Sequence, residues 1–124
     1  MAHPFVHVEL NTSDLAKAKE FYGKLFEWKL QDVPMPDGDT YTMIDVEGGT
    51  GGGMLKAKQP GTPPFWLAYV GVEDIKASTK RARELGAKIM VDATEVGDYG
   101  FMSVIVDPTG AHLAMWQPKA AAKP

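Results

Sequence analysis

The sequence predicts an α+β fold in which two tandem βαβββ modules form a half-open, barrel-like sheet around a cavity. Three observations predict it. Strand-like, helical and again strand-like periodicities follow one another once in each half of the chain. A proline- and glycine-rich segment lies near the midpoint. Each helical stretch is preceded by an aspartate suited to cap it.

In the first half, Phe5-Val6-His7-Val8-Glu9-Leu10 partly alternates apolar and polar residues, as a strand does. Ser13 and Asp14 supply capping oxygens. Leu15, Ala18, Tyr22 and Leu25 then share one helical stripe, while Lys17, Lys19, Glu20 and Lys24 cover much of the remaining surface. Trp28-Lys29-Leu30-Gln31 returns as a strand, Pro34, Pro36, Asp37 and Gly38 make a turn, and Tyr41 to Val46 form the next strand. The run Gly48 to Gly53 reads as a flexible reversal, a bulge or a mobile lid leading into Met54-Leu55-Lys56. It is not a phosphate loop, because it lacks the Lys-Ser/Thr ending and no helix follows it.

Sliding the chain by about sixty residues sets Pro4-Phe5 on Pro64-Phe65, Asp14 on Asp74, Leu25 on Leu85, Asp32 on Asp92 and Val46 on Val106. Ile75, Ser78, Ala82 and Leu85 repeat the helical stripe, Asp74 starts that helix, and Gly86 is placed to end it. Strands follow at Lys88 to Val91, Phe101 to Val106 and Ala111 to Trp116, with Asp107-Pro108-Thr109-Gly110 as a tight turn. The expected organisation is a single domain over residues 1–118. Module one covers 3–58, a linker 59–63, module two 64–117, and a loose tail 119–124.

Composition narrows the function. Hydrophobic residues are 44% and charged residues 23% of the 124, a globular balance. A net charge of −3 leaves no broad basic surface for nucleic acid. The absence of cysteine removes thiolate metal sites, disulfides and a cysteine nucleophile. No apolar run approaches the ~20 residues that span a bilayer, and no secretion signal is present, so a cytoplasmic location without membrane contact is expected.

The strand before Asn11-Thr12-Ser13-Asp14-Leu15, the helix ending Phe21-Tyr22-Gly23-Lys24-Leu25-Phe26-Glu27-Trp28, and Asp107-Pro108-Thr109-Gly110-Ala111 together resemble the vicinal oxygen chelate superfamily. That group includes glyoxalase I, bleomycin-resistance proteins and extradiol dioxygenases. The resemblance covers roughly residues 3–117, implies the glyoxalase/bleomycin-resistance/dihydroxybiphenyl dioxygenase fold, and is strongest to small proteins related to lactoylglutathione lyase. It also implies a homodimer, with Phe5, Trp66 and Phe101 as apolar residues available to an interface. Enzymes of the superfamily hold a divalent metal with four side chains, one from each of four strands. By resemblance those positions fall on His7, on Gly53 or Met54, on Leu67 and on Ala114, so only the histidine remains as a ligand of the usual kind. No cofactor is therefore expected.

If His7 faces the cavity, alternation sends Phe5 and Glu9 with it and turns Val6, Val8 and Leu10 toward the helices. The matching residues of the second half are Phe65, Leu67 and Tyr69, with His112, Ala114 and Trp116 on the last strand and Met54 opposite Ala114. This makes an apolar, aromatic lining with few polar groups, suited to a small molecule. Each residue also has a plainer reading: His7 as a satisfied interior histidine, Glu9 as a carboxylate fixing a loop or dimer contact, Trp28 and Trp66 as core. The favoured function is a glyoxalase/bleomycin-resistance-like protein binding a small aromatic or apolar molecule without the full metal site. The first alternative is a lyase, isomerase or oxygenase in which His7 and Glu9 act on a bound carbonyl compound, with Ni, Zn, Mn or Fe as its metal. The second is a non-catalytic structural or regulatory dimer module.

Overall fold

A computed structural model describes residues 2–57 and 61–119. Residues 58–60 and 120–124, on which the end of module one, the start of the expected linker and most of the expected tail fall, lie outside the described residues. The chain runs β1 (Phe5–Thr12), α1 (Leu15–Phe26), β2 (Lys29–Pro34), β3 (Thr40–Asp45), β4 (Gly52–Lys56), β5 (Phe65–Gly71), α2 (Ile75–Glu84), β6 (Lys88–Val96), β7 (Gly100–Val106) and β8 (His112–Pro118). This is the α+β order expected of two βαβββ segments.

Both helices start where the sequence places their caps. The Asp14 carboxylate accepts the Lys17 N–H at 3.0 Å, and that of Asp74 accepts the Ala77 N–H at 3.1 Å. Helix α2 stops because Gly86 takes a left-handed φ of 102°. The Asp107 turn closes through its carboxylate, whose Oδ1 accepts from Thr109 N, Thr109 Oγ1 and Ala111 N at 2.8, 2.7 and 3.0 Å.

Strand order is β2-β3-β4-β1 in the first half and β6-β7-β8-β5 in the second, so the repeat extends to topology. In each half the first strand pairs in parallel with the last (β1 with β4, β5 with β8), and the remaining pairs are antiparallel. The chain forms two compact units, one spanning His7–Leu67 and the other joining the residues up to Val6 with Ala68 onward.

In the His7–Leu67 unit, α1 covers the sheet face carrying Leu10, Ile44 and Met54. Leu15, Ala18 and Tyr22 from the predicted stripe, with Trp28, Leu30 and Val46, pack around them. In the other unit Val72, Ile75, Ile105 and Met115 form the core, joined by Ala82, Ile89, Phe101 and Leu113. One polar connection runs through that core. Thr79 Oγ1 donates to Ile75 O at 2.6 Å and accepts from Ser103 at 2.7 Å, while Ser103 Oγ accepts the Ala93 N–H at 2.8 Å. This bond holds Ala93, at a φ of 38°, where β6 slips register between Val91 and Thr94.

The run Gly48 to Gly53 is not flexible throughout. Gly52 and Gly53 are buried residues of β4, and Gly52 lies so close to β1 that a Cβ there would stand 2.0 Å from the Val8 carbonyl oxygen. Close approach of the Val8 backbone accounts for Gly52, and the Tyr41 side chain lying over β4 accounts for Gly53. Among the described residues no helix is long and apolar enough to cross a membrane.

Candidate functional site

Register fixes the face opposite α1. Leu10 pairs with Met54 and Glu9 with Gly53, while Gly53 pairs with Met43 across β4 and β3. The helix side therefore takes Leu10, Met54 and Ile44, and the other side takes His7, Glu9, Asn11, Gly51, Gly53, Leu55, Tyr41, Met43 and Asp45. Met54 does not line the site expected from the sequence. It is fully buried between Leu10 and Ile44 on the helix side. The unknown length of the glycine segment left the strand's register open, and a shift of one residue turns every side chain over.

On this face three side chains meet. The Tyr41 hydroxyl lies 2.6 Å from His7 Nε2 and donates to Glu9 Oε1 at 3.0 Å. A hydroxyl has one proton, so with that proton given to the Glu9 carboxylate the oxygen accepts from His7, and the imidazole carries its hydrogen on Nε2. The two rings stack, with centroids 6.2 Å apart. Asn11 Nδ2 donates to Glu9 Oε2 at 3.4 Å. Burial lowers the His7 pKa, since the charged ring gives up water that its surroundings do not replace. His7 is thus neutral near pH 7, and the chain of bonds runs from imidazole to phenol to carboxylate.

Tyr41 is absent from the sequence-based set. It reaches the pair because Gly53 has no side chain: a Cβ there would lie 2.1 Å from the Tyr41 oxygen and 2.2 Å from its Cζ. A glycine at the strand centre was the available signal, but which neighbour it admits depends on β3–β4 pairing. An open groove of about 480 Å³ lies along β2, β3 and the glycine segment, lined by Lys29, Gln31, Met43, Asp45 and Gly51 together with the core residues Leu30, Ile44 and Val46. Lys29 is paired there with Glu47 at 3.2 Å.

The other predicted residues are placed as follows. Phe5 is 61% exposed and Phe65 38%. On β5 and β8, Leu67, Tyr69 and Ala114 are buried, Tyr69 pairs with Ala114 in register, and its ring meets Trp116 edge-on at 6.5 Å. His112 is exposed at the start of β8. Trp28 and Trp66 pack on Tyr22, with ring centroids 5.8 and 5.4 Å away.

A family model described as the Glyoxalase/Bleomycin resistance protein/Dioxygenase superfamily matches residues 5–115. The chain belongs to this superfamily. A curated protein of Mycobacterium bovis named "Putative glyoxylase CFP32" is 38% identical over 114 residues, which is 89% of this chain and 44% of that protein. The anthracycline biosynthesis protein DnrV of Streptomyces peucetius is 28% identical over 123 residues, covering 88% of this chain and 45% of its own. The chain thus spans less than half the length of these superfamily relatives. Among solved structures, the hypothetical protein BH1468 of Bacillus halodurans superposes with a TM-score of 0.78 at 14% identity, with full coverage of both chains. Methylmalonyl-CoA epimerase from Mycobacterium tuberculosis superposes at 0.72 with 18% identity over 92% of this chain and 87% of that one. At these identities the two structures share the fold.

The superfamily raises the question of a divalent metal. Among the described residues no group of three or more His, Asp or Glu side chains stands where it could hold an ion. His7 Nε2 is bonded to the Tyr41 phenol.

Proposed function

We propose that this superfamily member binds a small aromatic or apolar molecule against the face carrying His7, Tyr41 and Glu9, without a full metal site. The observation that carries the proposal is the bonded run from His7 Nε2 through Tyr41 Oη to Glu9 Oε1, at 2.6 and 3.0 Å. It fixes three polar side chains in one orientation beside Met43, which is 41% exposed, and beside the glycines of β4. A ligand laid over that glycine strip gains apolar contact with Met43 and presents its polar end to the fixed donors and acceptors. Within the same unit Phe65 and Leu67 are proposed as further contacts; in the other unit Phe5, Tyr69, His112, Ala114 and Trp116 are proposed as ligand-contacting residues, with Tyr69 and Trp116 as stacking surfaces. The relative named for anthracycline biosynthesis supports a planar aromatic ligand. The protein is proposed to act as a cytoplasmic homodimer.

A thermal-shift screen against planar aromatic compounds in chelator tests this. The expected result is a rise of about 2 °C or more at saturating ligand, lost in His7→Ala and Tyr41→Phe. A flat response across the screen contradicts it.

The same bonded run favours a second reading, an enzyme that moves a proton on a bound carbonyl compound. His7 takes the proton as base, and the Nε2 hydrogen shifts through Tyr41 toward Glu9. Incorporation of solvent deuterium into a bound carbonyl compound, abolished by Glu9→Gln, selects this reading over simple binding.

A further inference from the structure

We infer that Tyr41 is the built-in occupant of a cation half-site, and that its hydroxyl, held between His7 and Glu9, keeps this face free of metal. The inference rests on the metal-free reading proposed above and supplies its cause.

Two donors of the kind that hold a borderline divalent ion, an imidazole nitrogen and a carboxylate oxygen, converge on a single point. That point is filled by Tyr41 Oη, 2.6 Å from one donor and 3.0 Å from the other. These are hydrogen-bond lengths. Two donors sharing one zinc ion, each about 2.1 Å from it, stand about 3.4 Å apart in tetrahedral geometry. The 2.6 Å contact is too short for that, so a proton rather than an ion joins His7 to Tyr41.

The ring also blocks a third ligand. Position 53 faces the site beside Glu9, its register partner on β1. A Cβ on Gly53 would lie 2.1, 2.2 and 2.3 Å from Oη, Cζ and Cε2 of Tyr41, so no side chain fits at 53 while the tyrosine is present. Glycine and tyrosine form one device: the glycine makes the seat, and the phenol fills it and caps both donors. Removing the ring leaves His7 Nε2 and Glu9 Oε1 facing a common gap and opens position 53 to a ligating residue. Three protein donors are the number that catalytic zinc sites use.

Calorimetric titration with zinc chloride at pH 7.5, on protein stripped with chelator and dialysed, tests the inference. Wild type and Tyr41→Phe, which keeps a ring over Gly53, are expected to take up no ion at the site. Tyr41→Ala combined with Gly53→His is expected to bind one Zn²⁺ per chain at least roughly 100-fold more tightly than wild type, and His7→Ala in that background is expected to remove the gain. A folded double variant within about threefold of wild type, or a gain that survives His7→Ala, overturns the role given to Tyr41. Should the double variant fail to fold, Tyr41→Ala alone decides: about tenfold tighter binding that needs His7 upholds the inference, and no gain overturns it. Wild type purified with near-stoichiometric metal that His7→Ala releases overturns the metal-free reading itself. Metal-free wild type with an unresponsive double variant overturns only the role of Tyr41.

Discussion

The Tyr41 phenol occupies the space that a side chain on Gly53 would need, and this is what brings its hydroxyl within 2.6 Å of His7 Nε2. The contact is long-range in sequence and local in the sheet. It joins the first and third strands of one unit across the fourth, and converts a histidine and a glutamate two residues apart into a connected triad.

Gly53 and Tyr41 are therefore energetically coupled. Gly53→Ala is expected to destabilise the protein by about 2 kcal/mol, because the methyl group forces the ring out of its seat and breaks both hydroxyl bonds. In a Tyr41→Ala background the same change is expected to cost at least about 1 kcal/mol less. Urea denaturation of the four proteins of this cycle measures the coupling, and additive losses refute the seat.

His7 gives the fold a defined pH dependence. Its folded pKa is lowered by burial, so between the folded value and the ordinary value near 6.5 the unfolded chain binds more protons. Stability contributed by the neutral ring is complete above the ordinary value. It is lost as pH falls through that value toward the folded pKa, below which the loss levels off. Urea midpoints of wild type and His7→Gln from pH 8 to pH 5 isolate the effect, with wild type expected to lose more on acidification. Equal slopes rule it out.

Much of this fold is legible from residue spacing, because the deciding interactions are local. Asp14 and Asp74 each cap the helix that follows by accepting an N–H three residues downstream, Gly86 ends one, and Asp107 closes its own turn, all within reach of a short window. The helical stripe with Leu15, Ala18 and Tyr22 meets the core as spaced. The site is less legible because its facts are cross-strand. His7 and Glu9 share a face by simple alternation, yet Tyr41 joins them only through the β3–β4–β1 register. Met54 was turned to the wrong side for the same reason. The glycine run looked conformational because composition does not show that the Val8 carbonyl lies over Gly52.

The placement of Met54 has its own consequence. Met54→Ala is expected to cost about 2–5 kcal/mol through the cavity left between Leu10 and Ile44. Ligand affinity of the folded variant is expected to stay within about threefold of wild type, since the side chain lies across the sheet from His7. A variant of wild-type stability with weakened binding would place the methionine on the other face.

In the second unit, Ser103→Ala is expected to cost about 1–3 kcal/mol, because it strands the Ala93 N–H at a strained bulge and takes a donor from Thr79. Thr79→Val is expected to cost less, since its bond to Ile75 O lies within its own helix. Chemical denaturation orders the two, and the reverse order contradicts the bulge-pinning role of Ser103.

The face joined by Tyr41 is proposed to hold a small aromatic ligand with no metal ion taking part. Two-dimensional NMR of protein labelled at histidine and tyrosine, titrated with a water-soluble anthraquinone in excess chelator, measures this most directly. Saturable shifts of the His7 and Tyr41 ring signals, unchanged by the chelator, are the predicted result. Shifts that vanish with chelator and return with zinc, or that leave both rings unmoved while the probe binds elsewhere, contradict the claim.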